Sequence, residues 1–231
     1  MRLNYIFNIF LLLLCFQSVA QVKTTQAVKT NQAPRIDGVL NDAAWKEAPV
    51  LTDFIQNSPN PGKPGSSLSE VRIIYDNAAI YVGAYLFDDP SLLRKQFTAR
   101  DGEQMRDVDY FSVFFDTYND KQNGFQFLVT TANVQSDARV SPSYSGEFGS
   151  YGDKTWDAVW ESKVSLQKDG WIVEMKIPYV SLRFSKKEVQ DWGLQILRFT
   201  RRNNETDFWN PVNPQVSGFA NQFGGLTGIR D

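Results

Sequence analysis

The side chains able to do chemistry in this chain are few in kind. It holds no histidine and a single cysteine, Cys15. Without histidine there is no Ser-His-Asp or Cys-His triad, no zinc centre of His and Cys ligands, and no His-ligated haem. Chemistry would have to come from carboxylates, and any metal would have to accept oxygen ligands. Asp88, Asp89, Asp101, Glu103, Asp107, Asp109, Asp116 and Asp120 gather near the ends of expected strands. Two carboxylates across a cleft would suffice for a glycosidase, one as proton donor and one as base or nucleophile. Nothing in their spacing selects such a pair, and no stretch has the regular ligand spacing of a calcium-binding loop. Solvated turn acids are the simpler reading.

The tryptophans offer the other chemistry, stacking. Trp45, Trp171 and Trp192 sit on regular elements and are expected in the core with Trp160, where each indole N–H can find a partner. Trp156 is left open between core and surface. Trp209 lies in the run Phe208-Trp209-Asn210-Pro211-Val212-Asn213-Pro214, whose prolines forbid ordinary ladder pairing. Of the six tryptophans it is the best candidate for an exposed platform. Tyr144, Phe148 and Tyr151, in the Ser/Gly/Tyr-rich segment Ser141–Lys154, add aromatic surface. Plain connection is the preferred role for that loop and for the proline-rich loop Ser58–Ser69, although long loops are functional more often than average.

The elements that must position these groups are strands. Val71, Ile73 and Tyr75 alternate with Arg72 and Ile74, and Asp76-Asn77 turns the chain into Ile80–Phe87 as a hairpin. Tyr110–Phe115 is a nearly continuous apolar strand, answered by Phe125–Thr130 across the polar turn Tyr118–Gly124. Trp160–Leu166 pairs with Trp171–Ile177, whose Trp171, Val173, Met175 and Ile177 share a face opposite Glu174 and Lys176. Trp192–Arg201 and Gly225–Ile229 complete the set. Helix is confined to short pieces near Asp42–Ala48, Ser91–Gln96 and Tyr179–Leu182. Short strands separated by turn signals predict an all-β fold, an antiparallel β-sandwich with one or two short helices. A chain of this size buries roughly 70% of its unfolded surface, so the core needs no disulfide.

Residues 1–20 read as an export signal: Arg2, an apolar run Ile6–Phe16, and the small-x-small pattern Ser18-Val19-Ala20 before Gln21. Cys15 lies inside that run behind Leu14, which argues against lipidation. Residues 21–33 are expected as a lead-in and 34–231 as the domain. The formal net charge of −2 implies no nucleic-acid partner. Pro34–Trp45 (PRIDGVLNDAAW) stiffens at Pro34, turns at Asp37-Gly38 and starts a helical turn at Asn41 or Asp42, burying Ala44 and Trp45 as a plug.

That plug, with Thr155–Ser162 (TWDAVWES), Asp169–Phe184 (DGWIVEMKIPYVSLRF), Trp192–Glu205 (WGLQILRFTRRNNE) and Trp209, resembles the family 9 carbohydrate-binding modules. It is similar in particular to the module at the N-terminus of Bacteroidetes-type outer-membrane proteins with a C-terminal β-barrel. The resemblance covers about Pro34–Ile229. It implies a non-catalytic domain of an exported protein, at the periplasm, outer membrane or cell surface. That domain would bind poly- or oligosaccharide weakly in a catabolic context such as xylan breakdown, with a membrane β-barrel outside this chain as partner. Sugar-binding members clamp the sugar between two tryptophans, one shortly before an Asp-x-x-Glu strand motif and one near the C-terminus. Here Asp109-Tyr110-Phe111-Ser112 stands at that motif with Ser112 for the glutamate. Arg106 takes the place of the first tryptophan, and Trp209 matches the second. The resemblance therefore implies a site of Trp209, Asn210, Arg106 and Asp107, with Trp156 and Tyr151 as further contacts. It implies no cofactor. Related modules bind structural calcium, which the strand-end acids could hold. Two other readings stand beside this one: a structural or assembly sandwich domain without a sugar site, and a glycoside hydrolase.

Overall fold

The computed structural model describes residues 22–102, 107–142 and 151–230. The expected export signal, with Cys15, lies outside them, as do Glu103, Arg106, Tyr144 and Phe148. In chain order the strands are β1 (Thr24–Gln26), β2 (Val28–Lys29), β3 (Ile55–Ser58), β4 (Ser69–Tyr75), β5 (Ala79–Phe87), β6 (Tyr110–Asp116) and β7 (Gly124–Thr130). They continue with β8 (Gln135–Val140), β9 (Gly152–Asp153), β10 (Glu161–Gln167), β11 (Gly170–Pro178), β12 (Val189–Thr200), β13 (Glu205–Phe208) and β14 (Gly224–Arg230). The one α-helix among the described residues is α1 (Ala43–Glu47).

Two sheets face each other. The five-stranded sheet runs β10-β11-β5-β4-β2, and the nine-stranded one runs β1-β14-β12-β6-β7-β8-β9, with β13 beside β12 and β3 beside β13. Among the described residues all pairings are antiparallel except β1 with β14 and β2 with β4. The antiparallel sandwich expected from the alternation is the observed fold. The segment before Pro34 is not a mere lead-in, however: it gives a short strand to each sheet in turn, so the sandwich begins at Thr24.

Alternation places three apolar layers. Between the sheets lie Val71, Ile73, Val82 and Ala84 from β4 and β5, and Trp171, Val173, Met175 and Ile177 from β11. Phe111, Val113, Phe115, Phe127, Trp192, Leu194 and Ile196 meet them from the facing sheet. The outer face of the nine-stranded sheet carries Tyr110, Phe114, Leu128, Leu197, Phe199 and Phe208, and returning loops cover it with Tyr151, Phe219 and Phe223. The outer face of the five-stranded sheet carries Ile74, Ala79 and Tyr81 beneath the plug. Every residue of β6 is buried, because both its faces are covered.

The plug is latched by a residue of the far strand. Glu174 of β11 is fully buried and accepts from the Asp37 amide at 3.0 Å, the Gly38 amide at 2.6 Å and the Trp45 indole N–H at 3.1 Å. Burial pushes its carboxyl up from the usual range, while these three donors pull the other way. The Asp37-Gly38 turn thus aims two amides at one carboxylate, and Gly38 supplies the left-handed φ of 88° that this requires.

At one end of the inter-sheet space the filling is ionic. Arg198 of β12 donates to the Leu68 and Phe87 carbonyls and pairs with Asp88 at 2.9 Å, joining the two sheets. Beside it Asp207 and Glu205 of β13 face inward. Burial, then the charge and hydrogen bond of Glu205, push the Asp207 carboxyl up to about 7 against the pull of Arg198. Its folded value lies above the ordinary value of about 3.9, so the native state holds the proton that the unfolded chain has released. The stability this proton contributes is complete below about pH 4 and is lost as the pH rises through about 7. An Asp207→Asn variant, neutral throughout, should lose less of its denaturation midpoint between about pH 5 and pH 8 than the parent does. Equal losses in the two proteins would show that Asp207 is already ionised in the fold.

Candidate functional site

The residues expected to form one site are not brought together. Trp209 is buried at 3% exposure in the inter-sheet core. It precedes Pro211, which constrains only its own neighbour Asn210. Trp209 therefore extends the β13 ladder by one residue, its amide donating to the Ile196 carbonyl at 2.9 Å. Its indole lies over Gly224, where a Cβ would stand 2.7 Å from the ring. Only a sliver of the ring reaches the open surface beside Lys23, Val50 and Asp53, so Trp209 is not the exposed platform expected from the prolines. Asn210 is equally committed: its Oδ1 accepts from the Lys23 amide at 2.9 Å and its Nδ2 donates to the Gln222 carbonyl at 2.8 Å. Tyr151 stacks on Phe219 with centroids 4.4 Å apart and meets the edge of Phe114 at 5.4 Å, closing the outer face of the sheet. Burial pushes its phenol up to about 12. These three are packing residues.

The motif position tells the same story. Ser112 is fully buried on the outer face of β6, donating to the Phe127 carbonyl and accepting from Gln126 Nε2 at 3.1 Å. Asp107 is exposed ahead of β6, with its carboxylate 3.7 Å from Arg201. Arg106 lies outside the described residues. The strand-end acids mostly hold backbone. Asp109 accepts from the Arg94 and Arg201 amides at 2.7 and 2.6 Å, and Asp116 from the Asp120 and Lys121 amides at 3.2 and 2.8 Å. Among the described residues no three acids, histidines or cysteines cluster as a metal site.

Trp156 is the expected site residue that presents a partly open ring to a ligand-sized space. A groove of about 770 Å3 opens at the end of the sandwich where β6 stops and β7 starts. One wall is the 118–123 turn, with Tyr118 half exposed. Asn119 and Lys121 hold this turn at left-handed φ values of 53° and 64°. Asp120 completes it, accepting from the Gln122 and Asn123 amides at 2.8 Å each and from Asn123 Nδ2 at 2.9 Å. The other wall is the 156–159 segment leading into β10. Trp156 is half-buried there, its ring 4.8 Å from Phe125 and 5.9 Å from Phe127 between centroids. The aromatic floor fixes the indole while part of it lines the groove.

Asp137 of β8 fastens this segment from below. Fully buried, it accepts from the Ala158 amide at 2.7 Å and the Trp160 indole at 3.1 Å, and pairs with Arg100, which also donates to the Ala158 carbonyl at 2.7 Å. Burial raises its carboxyl, opposed first by Trp160. The groove rim is apolar at Val159 and Val180, which are 82% and 94% exposed, and carries Arg139 and Arg183. Tyr118, Val159, Val180, Arg139 and Arg183 carry no common sequence signal: they come from four separate stretches of chain, after β6, within β8, before β10 and after β11, and only strand pairing converges them. Tyr118 alone had a local signal, as an aromatic residue in an otherwise polar turn.

A sandwich of two antiparallel sheets, plugged by Trp45 and ending in an aromatic groove, has close counterparts. The sequence pattern of the "Carbohydrate family 9 binding domain-like" family matches residues 36–225. The chain belongs to this family. Relatives include endo-1,4-beta-xylanase C of Paenibacillus barcinonensis, 24% identical over 71% of this chain. Endo-1,4-beta-xylanase A of Thermoanaerobacterium saccharolyticum is 28% identical over 81% of it. The matches span only 13% and 15% of those enzymes. Among solved structures, the family 9 module of Caldicellulosiruptor kristjanssonii in complex with cellotriose superposes with a TM-score of 0.63 at 18% identity, covering 89% of this chain and 93% of that one. A protein of Bacteroides uniformis ATCC 8492 gives 0.66 at 13% identity, covering 90% and 99%. At these identities the solved structures show a shared fold.

Proposed function

We propose that this family 9 domain is a non-catalytic carbohydrate-binding module whose sugar contact is the Trp156 groove. The observation that carries the reading is the half-buried indole of Trp156, held by Phe125 and lining a groove of about 770 Å3 with Tyr118 on the facing wall. Sugars present apolar C–H faces ringed by hydroxyls, and a fixed aromatic face beside polar groups is the matching surface. Xylan is the first polymer to test, because curated relatives that share this domain are xylanases. The xylanase activity of those relatives belongs to enzymes far longer than the matched region, so a binding role for this chain fits better than a hydrolytic one. The apolar segment 1–20 fits export, and a C-terminal membrane β-barrel fits the wider resemblance.

Stacking on a single fixed indole gives modest affinity, with dissociation constants nearer millimolar than micromolar. Trp156→Ala should weaken binding to xylan or cello-oligosaccharides by about tenfold in a calorimetric titration, since a stacked ring contributes on the order of 1 kcal/mol or more. Unchanged affinity in a folded variant would move the contact elsewhere. A second reading, a sandwich domain serving a surface assembly, is favoured by one observation: Trp209, at the position of the family's C-terminal clamp, is buried to 3% exposure. Failure of the parent protein to bind any glycan on an array would select it.

A further inference from the structure

The groove carries two cationic side chains that its own residues do not engage. Its two carboxylates already have donors beside them. Asp120 takes three donors of its own turn, and Asp157 lies 3.3 Å from the Arg100 guanidinium. Two of its hydroxyls are engaged as well: Thr117 Oγ1 donates to the Arg183 carbonyl, and Ser181 Oγ donates to the Val159 carbonyl at 2.8 Å. Two guanidinium groups remain, Arg139 on the β8 side and Arg183 beyond β11, both exposed and both lining the groove. Among the described residues neither has an ion pair or a side-chain hydrogen bond. Asp153, its partner across the β8–β9 ladder, is within electrostatic reach of Arg139. Asp153 is itself held by the Thr155 amide at 2.9 Å.

Guanidinium groups only donate, and their planar fork fits a carboxylate with two parallel bonds. A neutral sugar could satisfy them through hydroxyl oxygens. A sugar carrying a carboxylate would satisfy them and neutralise them, with charge-assisted bonds roughly twice as strong as neutral ones. The indole of Trp156 and the apolar rim of Val159 and Val180 call for a ring with a C–H face, which a simple polyanion lacks.

We infer that the Trp156 groove selects acidic saccharides, glycans bearing uronic acid residues, with the sugar ring on Trp156 and its carboxylate taken by Arg139 and Arg183. This rests on the reading of the groove as the carbohydrate site and narrows its ligand class. Asp157, 79% exposed beside Trp156, sets the limit of the preference, since Arg100 only partly offsets its charge.

The test is a calorimetric titration of the full chain with four probes: hexagalacturonate, glucuronate-substituted xylo-oligosaccharide, unsubstituted xylohexaose and poly-glutamate. The two acidic saccharides should bind about tenfold more tightly than xylohexaose at low salt, and most of that advantage should vanish near 0.5 M NaCl. Arg139→Ala with Arg183→Ala should bring acidic and neutral sugars to equal affinity, while Trp156→Ala should weaken both. Both arginines are exposed, so the fold should survive, and Arg183→Glu offers a second variant that should reverse the preference. Equal affinity of the parent for acidic and neutral sugars would overturn the inference and leave the module reading intact. So would a preference untouched by the arginine variants, or poly-glutamate binding as tightly as hexagalacturonate. Absence of binding to all three saccharides would overturn both.

Discussion

Replacing Trp45 with alanine is expected to cost about 3–5 kcal/mol of stability, whatever any ligand does. The indole is 1% exposed and lies against Gly83 of β5, where a Cβ would come within 3.0 Å of the ring. It fills the space between α1, Leu40 and the outer face of the five-stranded sheet. It also gives Glu174 one of three donors. Truncation therefore opens a cavity and leaves a buried carboxylate short of a partner, two costs that add. For a domain of this size each kcal/mol is worth roughly 2–4 °C in melting temperature, so thermal denaturation shows the effect clearly. Trp45→Phe should recover much of the packing but not the hydrogen bond to Glu174. A loss below about 1 kcal/mol in Trp45→Ala would mean that the plug contributes little to holding the sandwich together.

How much of this was legible in the sequence depends on the range of the signal. Strand alternation is local, and it placed β4, β5, β6, β7, β10, β11 and β12 within a few residues of their observed ends. The Asp76-Asn77 turn, with Asp76 accepting from the Ala78 and Ala79 amides at 2.8 Å each, is local too. Glu174 shows where locality ends. Its side of β11 alternates as a solvent face should, yet the plug, more than a hundred residues earlier in the chain, folds over it. The buried Glu174 and the strand character of β1 and β2 are both consequences of long-range docking that periodicity does not encode. Trp209 failed for another reason. A proline blocks the ladder at its own amide and restrains the residue before it, and Trp209 stands one position too early to be released. Trp156 was left open because the sequence shows neither Phe125 beneath it nor the Tyr118 wall opposite.

The second large effect is expected at Asp88. Its carboxylate is 2% exposed and serves two arginines, Arg198 at 2.9 Å and Arg202 at 2.8 Å. Arg198, also 2% exposed, gains from the Leu68 and Phe87 carbonyls and from Ser69 Oγ, but none of these carries charge. Burial pulls its guanidinium below the usual arginine range, and Asp88 is the first of the charges that resist. Asp88→Ala leaves that guanidinium buried with only the more distant Asp207 and Asp109 to oppose it. Asp207 is a poor substitute, since it holds its own proton up to about pH 7. Removing one partner of a buried pair costs about 3–5 kcal/mol, mostly the penalty of the charge left behind. The loss should persist in high salt, because screening reaches buried pairs weakly. Arg198→Met in the Asp88→Ala background removes the stranded charge, so the double variant should be more stable than Asp88→Ala alone. Denaturant titration of the three proteins decides it. If the double variant is no more stable than Asp88→Ala, the packing of the Arg198 stem, and not its charge, joins the two sheets at this end.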